Sequence, residues 1–166
     1  MPAYLFQAPT GVPGAVTRPD ESNAEPIMLQ TPYPTVYGQA LVYTTGGAAA
    51  WGTGNVQADF AGALVRVAPS ISGSISTDAT FSGGQPLTTQ VQSILVRGYM
   101  SVTCQYGTPA RGGIVYVNIQ ATGTRVVGGF EATYQSSYNV ALTTTQAEWA
   151  TDGMDASLNA EIRIAR

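Results

Sequence analysis

The sequence contains no histidine, no lysine and a single cysteine, Cys104. Without histidine, neither a Ser-His-Asp nor a Cys-His nucleophile system can be assembled. One thiol cannot supply the Cys/His cluster that zinc, copper or iron–sulfur sites require. Without lysine there is no Schiff base and no phosphate-binding Walker lysine. Charge is scarce as well: charged residues are 10% of the chain, against about 25% in a typical soluble domain. The arginines (Arg18, Arg66, Arg97, Arg111, Arg125, Arg163 and Arg166) are scattered through a chain of net charge −3. They form no basic stripe for a phosphate backbone, so nucleic acid is not expected as a partner. No run approaches 18 apolar residues, and the first eleven residues lack the basic and apolar regions of a signal peptide. A soluble, unprocessed chain with no membrane partner is expected. Cys104 alone cannot close a disulfide and is expected in the core.

What is present is glycine, threonine, serine, glutamine and an uneven supply of proline. At 166 residues the chain is long enough for one domain with a proper core, or for one domain with an arm. Seven of the 10 prolines (Pro2, Pro9, Pro13, Pro19, Pro26, Pro32 and Pro34) fall in the first 34 residues. Proline at this density removes backbone donors and blocks helix and central strand, so residues 1–35 are expected to form an extended arm. The arm is rich in apolar anchors, unlike a disordered tail. It is read as wrapping its own domain or lacing onto a neighbouring subunit.

From residue 36 to 166 the apolar pattern has a period of two, which specifies strands. Candidate strands are 36–43, 60–68, 90–97, 114–120, 125–134, 138–143 and 158–164, with Met100, Val102, Cys104 and Tyr106 forming a further apolar face. In 158–164, Leu158, Ala160, Ile162 and Ile164 are expected inward and Asn159, Glu161 and Arg163 outward. In 114–120, Val115, Val117 and Ile119 oppose Tyr116, Asn118 and Gln120. The separators are Gly-rich turns, and many short strands with such turns specify an all-β fold, an antiparallel β-sandwich or barrel-like domain. The pattern at 145–148 is read as a loop, as is the Ser/Gly/Thr-rich stretch 70–90.

Carboxylates are the remaining candidates for chemistry. Asp152, Asp155 and Glu161 cluster around a glycine, but their spacing fits no calcium loop, and a solvated turn is the simpler reading. Glu131 and Glu148 could be posed as a glycosidase pair, yet nothing in the sequence brings them together. No catalytic residues, no metal site and no cofactor are assigned. The chain is not expected to be an enzyme. Trp51 and Trp149 lie among small residues, where a tryptophan is either a lid on the core or an interface or sugar-stacking platform. The 9 tyrosines and the retention of arginine without lysine both suit an interface.

The stretch FQAPTGVPGAVTRPDESNAEPIML (residues 6–29), then YGQALVY and FAGALVRVAP, resembles the N-terminal half of the structural cement proteins of tailed bacteriophages. The stretches VRGYMSVTCQYGTPARGGIVYVNI (96–119), VVGGFEATYQSSYNVAL and a closing AEIRI extend the resemblance over most of the chain. The 70–90 stretch departs from that pattern. The resemblance implies a virion decoration protein, made in the bacterial host cytoplasm and bound to the outer capsid surface, that fastens neighbouring major capsid protein subunits. It implies self-association as a homotrimer, with a dimer as the second choice. The expected capsid or subunit interface residues are Tyr4, Phe6, Arg18, Tyr33, Trp51 and Trp149. The alternatives are a β-sandwich tail or baseplate module and a carbohydrate-binding module.

Overall fold

A computed structural model describes residues 12–66 and 86–165. The described chain is nearly all β. Its strands are β1 (Asn23–Gln30), β2 (Ala40–Thr44), β3 (Gly47–Ala50), β4 (Phe60–Val65), β5 (Val91–Thr103), β6 (Tyr116–Asn118), β7 (Phe130–Glu131), β8 (Asn139–Ala141), β9 (Ala147–Trp149) and β10 (Asn159–Ala165). Seven of them form one sheet in the order β1-β3-β2-β4-β5-β10-β9, and an added β1–β5 pairing closes the first five into a barrel. A second, three-stranded sheet has the order β7-β6-β8. Every pairing between named strands is antiparallel except β1–β3.

Burial explains the division into two layers. All six residues of β4, FAGALV, are buried, so this strand carries apolar side chains on both faces. Leu64 and Ala61 join Leu29, Leu41, Ala48, Ile94 and Val96 in a small core drawn from all five barrel strands. Phe60, Ala63 and Val65 belong to a larger core, which also takes Met100, Val102 and Cys104 from the β5 region, Ile162 and Ile164 from β10, and Val117 and Phe130 from the second sheet. The larger core therefore lies between the barrel wall and the small sheet. Trp51, Phe60 and Phe130 interlock there, with ring centroids 6.2 and 6.4 Å apart in turn.

The 13-residue β5 joins the layers. Its first half pairs with β4 and β1, and its second half pairs with β10. Gly98 sits at the changeover with φ +123°, and a Cβ there would lie 2.1 Å from Ser22 Oγ. Only glycine meets that backbone without displacing the incoming chain. Gly62 has the same role where β4 crosses β5: its φ is +150°, and a Cβ would lie 2.2 Å from the Leu95 carbonyl oxygen.

Several expectations need correction. The described part of the proline-rich segment lies against its own domain, as one of the two readings had it, but is more than an extended arm: residues 14–17 bond along Tyr99 and Ser101, and β1 is a wall of the barrel. Pro26 is tolerated in β1 because β3 pairs only from Leu29 onward, leaving Pro26 with β5 as its one strand neighbour. Leu158 does not face inward; it is 47% exposed in a left-handed turn with φ +63°. Tyr106 likewise leaves the apolar face beyond Cys104 and is exposed. The 36–43 and 125–134 strands shrink to β2 and β7, and the last two residues of the loop expected at 145–148 belong to β9. Of the 70–90 stretch, residues 70–85 lie outside the described residues, and 86–90 turn into β5.

Candidate interaction surface

The outward face of the small sheet is the least ordinary part of the molecule. Cross-strand register places Tyr116 opposite Glu131 and Ala141, and Asn118 opposite Asn139. These side chains face away from the apolar core, which takes Val117, Phe130 and Val140. Three of them are nevertheless buried: Asn118, Glu131 and Asn139 form a polar layer. Glu131 Oε1 pairs with Arg125 Nη1 at 3.2 Å, and Glu131 Oε2 accepts from Asn139 Nδ2 at 2.6 Å. Asn118 Nδ2 donates to the Val126 carbonyl at 3.0 Å, and Arg125 also donates to Gln135 Oε1. A buried charge is tolerated only when paired and hydrogen-bonded in this way.

Tyrosines roof this layer. The Arg125 guanidinium lies 5.1 Å from the Tyr106 ring centroid and 5.8 Å from that of Tyr138. Tyr116 and Tyr134 meet at 5.9 Å, and Tyr106, Tyr134 and Tyr138 are exposed. The outcome is an aromatic surface whose Arg125 is paired from below by Glu131. Sequence reading noted the tyrosines but missed this site, whose signal was the TYQSSY run after a Gly-Gly turn.

Beside it lies a groove of about 490 Å³, lined by Pro13, Val36, Arg66, Gln105, Arg125 and Val126 among others. Arg66 stacks 4.7 Å from the Tyr37 ring centroid and donates through Nε to the Pro13 carbonyl at 3.2 Å. Arginine on tyrosine therefore marks both the Arg66 and the Arg125 parts of the groove.

The residues singled out from sequence fall in different places. Tyr4 and Phe6 lie outside the described residues. Tyr33 is 45% exposed. Arg18 is held by its own domain: it pairs with Glu161 at 2.9 Å and lies 3.8 Å from the Tyr99 ring centroid, while the Thr17 hydroxyl donates to the same carboxylate. Desolvation works against the Arg18 charge, but the hydrogen bond and charge of Glu161 outweigh it and hold the proton more tightly than usual. Trp51 and Trp149, each 1% exposed, are core side chains rather than an interface or a sugar platform. Their large rings fill space between the layers, where small neighbours leave room.

The carboxylates are dispersed. Asp155 accepts from the Ser157 and Asn159 backbone N–H groups, both at 2.8 Å, and the Asn159 bond leads in holding its carboxyl below the usual range. Asp152 accepts from the Arg111 N–H at 2.9 Å. Glu148 pairs with Arg163 at 2.8 Å on the large sheet, whereas Glu131 belongs to the small one. Among the described residues, no three acidic or thiol side chains are placed to hold a metal. Burial pushes the Cys104 thiol up, which leaves it unreactive.

A protein-family model described as XM1 gp53 minor capsid protein matches residues 1–164. The chain belongs to this minor capsid protein family. It is a phage capsid structural protein, located in the virion. The solved structure titled "The capsid of Myoviridae Phage XM1" contains a chain of similar fold, with a TM-score of 0.68 and 17% identity over 97% of this chain and 94% of that one. Among curated proteins none matches. An exposed, tyrosine-rich face has the composition of a protein-contact surface, because tyrosine gives large area at low entropic cost.

Proposed function

We propose that this minor capsid protein decorates the outer surface of the phage head as a homotrimer and cements neighbouring major capsid protein subunits. It carries out no reaction and takes no cofactor. The family match over residues 1–164 carries the reading. The resemblance to tailed-phage cement proteins, the low charge and the exposed tyrosines support it.

The mechanism is linkage. A protein that binds the assembled lattice and not free subunits stabilises the lattice by mass action, by about 2.7 kcal/mol at a hundredfold excess over Kd. A trimer multiplies the effect, because the second and third contacts form at high effective concentration. Tyr106, Tyr134, Tyr138 and Tyr33 provide the contact area, and Arg125, paired with the buried Glu131, backs Tyr106 and Tyr138.

Heads lacking the protein, mixed with the purified chain and sedimented, should carry it to saturation and release their DNA at a higher temperature. Absence of the chain from pelleted heads, or an unchanged release temperature at full occupancy, would contradict the cement role.

A further inference from the structure

We propose that the open edge of β1, at Ala24 to Pro26, takes up an extended, basic segment of a neighbouring capsid subunit as an added strand. The inference rests on the head-binding reading above and gives it a partner chemistry. Backbone pairing shows which groups are on offer. The Leu64 N–H donates to the Gln39 carbonyl, and the Leu64 carbonyl accepts from the Gly38 N–H, so both point away from β5. Its register partner Ile94 therefore turns its own peptide groups to β1, where it meets Glu25, and Gln92 does the same for Ile27. Ala24 and Pro26 alternate with these residues and point their peptide groups to the other side. β3 pairs with β1 only at Leu29 and Gln30, and no described residue bonds to Ala24 or Pro26 from that side. The edge thus presents one N–H and two carbonyls, and Asn23, Ala24, Glu25 and Pro26 are all exposed. A segment laid along it can make three hydrogen bonds, two with Ala24 and one with the Pro26 carbonyl. Pro26 has no N–H with which to extend the ladder. A ladder this short selects its partner through side chains.

Charge makes that selection. Asp20 and Glu21, both exposed, lie just before the edge and line a polar cleft of about 430 Å³ together with Asn23 and Arg97. Glu25 adds a third carboxylate, which accepts from the Tyr43 hydroxyl at 3.2 Å. Arg163, also in the cleft, is already paired with Glu148, which leaves Arg97 against three carboxylates. Among the described residues neither Asp20 nor Glu21 takes part in an ion pair. A lysine or arginine on the added strand is attracted here, and an acidic segment is repelled. The same charges argue against a second copy offering its own β1, which would set like against like. Nor do residues 1–11 and 67–85 provide such a segment from within the chain, because they contain no lysine or arginine.

Hydrogen–deuterium exchange resolved to single amides tests this in the full chain, free and bound to heads prepared without the protein. In the free chain Ala24 should exchange fast, while Glu25 and Ile27, bonded to β5, exchange slowly. On saturated heads Ala24 should slow by about tenfold or more. Slow exchange at Ala24 before heads are added would overturn the proposal, because the edge would then be covered by the chain itself or by a second copy. An unchanged rate on heads that carry the chain would also overturn it, and would leave the head-binding reading standing. A chain that does not pellet with heads sinks both. Charge provides the second readout. Asp20→Lys combined with Glu21→Lys should weaken head binding at low salt by about tenfold or more, and the neutral pair Asp20→Asn with Glu21→Gln by less. Equal binding by wild type and both variants would overturn the basic partner.

Discussion

The barrel and the small sheet are stabilised in different ways. The barrel is filled by seven buried apolar side chains, whose burial is non-directional and tolerates loss of a methyl group or two at a graded cost. The outward face of the small sheet is held by Asn118, Glu131, Asn139 and Arg125, where each group needs its partner and a missing one leaves a buried charge or amide unpaired. One layer gives the chain its fold. The other fixes the shape of a surface, at the price of a network that fails as a unit.

The largest effect should come from the backbone that both layers share. Gly62→Val forces a Cβ into the Leu95 carbonyl and should abolish folding, a loss above about 4 kcal/mol, read as absence of a cooperative thermal transition. Next is the polar layer. Arg125→Ala leaves Glu131 buried and uncompensated and should lower stability by about 3–5 kcal/mol in denaturant unfolding. Adding Glu131→Gln should recover much of that loss, because the remaining group is neutral. Equal losses in the single and double variants would mean that the charge is not what makes this region all-or-none. Leu64→Ala in the barrel interior should cost about 2–5 kcal/mol, with no such rescue from any neighbour.

Smaller effects mark the periphery. Arg18→Gln removes a part-exposed ion pair and a ring contact and should cost about 1 kcal/mol after solvent screening, with a matching shift of the denaturant midpoint. Asp155 and Asp59 have carboxyls held below their ordinary value by backbone N–H bonds, from Asn159 and Val56 respectively. A depressed folded value means that the stabilisation is present above the unfolded value, about 4, and is lost as pH falls through the folded one. The stability gap between wild type and Asp155→Asn should therefore close in acid, below about pH 4. A gap that persisted at pH 2 would show that the side chain acts through packing rather than through its charge.

The period-two pattern made much of the large sheet legible: β2, β4, β10 and both halves of β5 overlap stretches expected as strands or apolar faces. It could not show that the halves of β5 are one strand, because Gly98 interrupts the pattern where the chain bends. β3 reads GAAA, and alanine has too little strand preference to announce one. β1 was hidden by Pro26, whose exclusion from central strands is relaxed where one side is unpaired. The small sheet's strands, of two or three residues, lie inside the expected stretches 114–120, 125–134 and 138–143, so the pattern located them and overstated their length. The sheet's polar layer was illegible for a deeper reason. Alternation separates two faces and says nothing of whether the polar one meets water, so Asn118 reads as outward although it is buried and donates to the Val126 carbonyl.

Electron cryo-microscopy of heads prepared without the protein, imaged before and after its addition, tests the cement role most directly. The account expects new symmetric density on the outer surface, three copies around each occupied position, bridging adjacent major capsid subunits. Unoccupied lattice positions at saturating protein, or density confined to the tail or the portal, would contradict it.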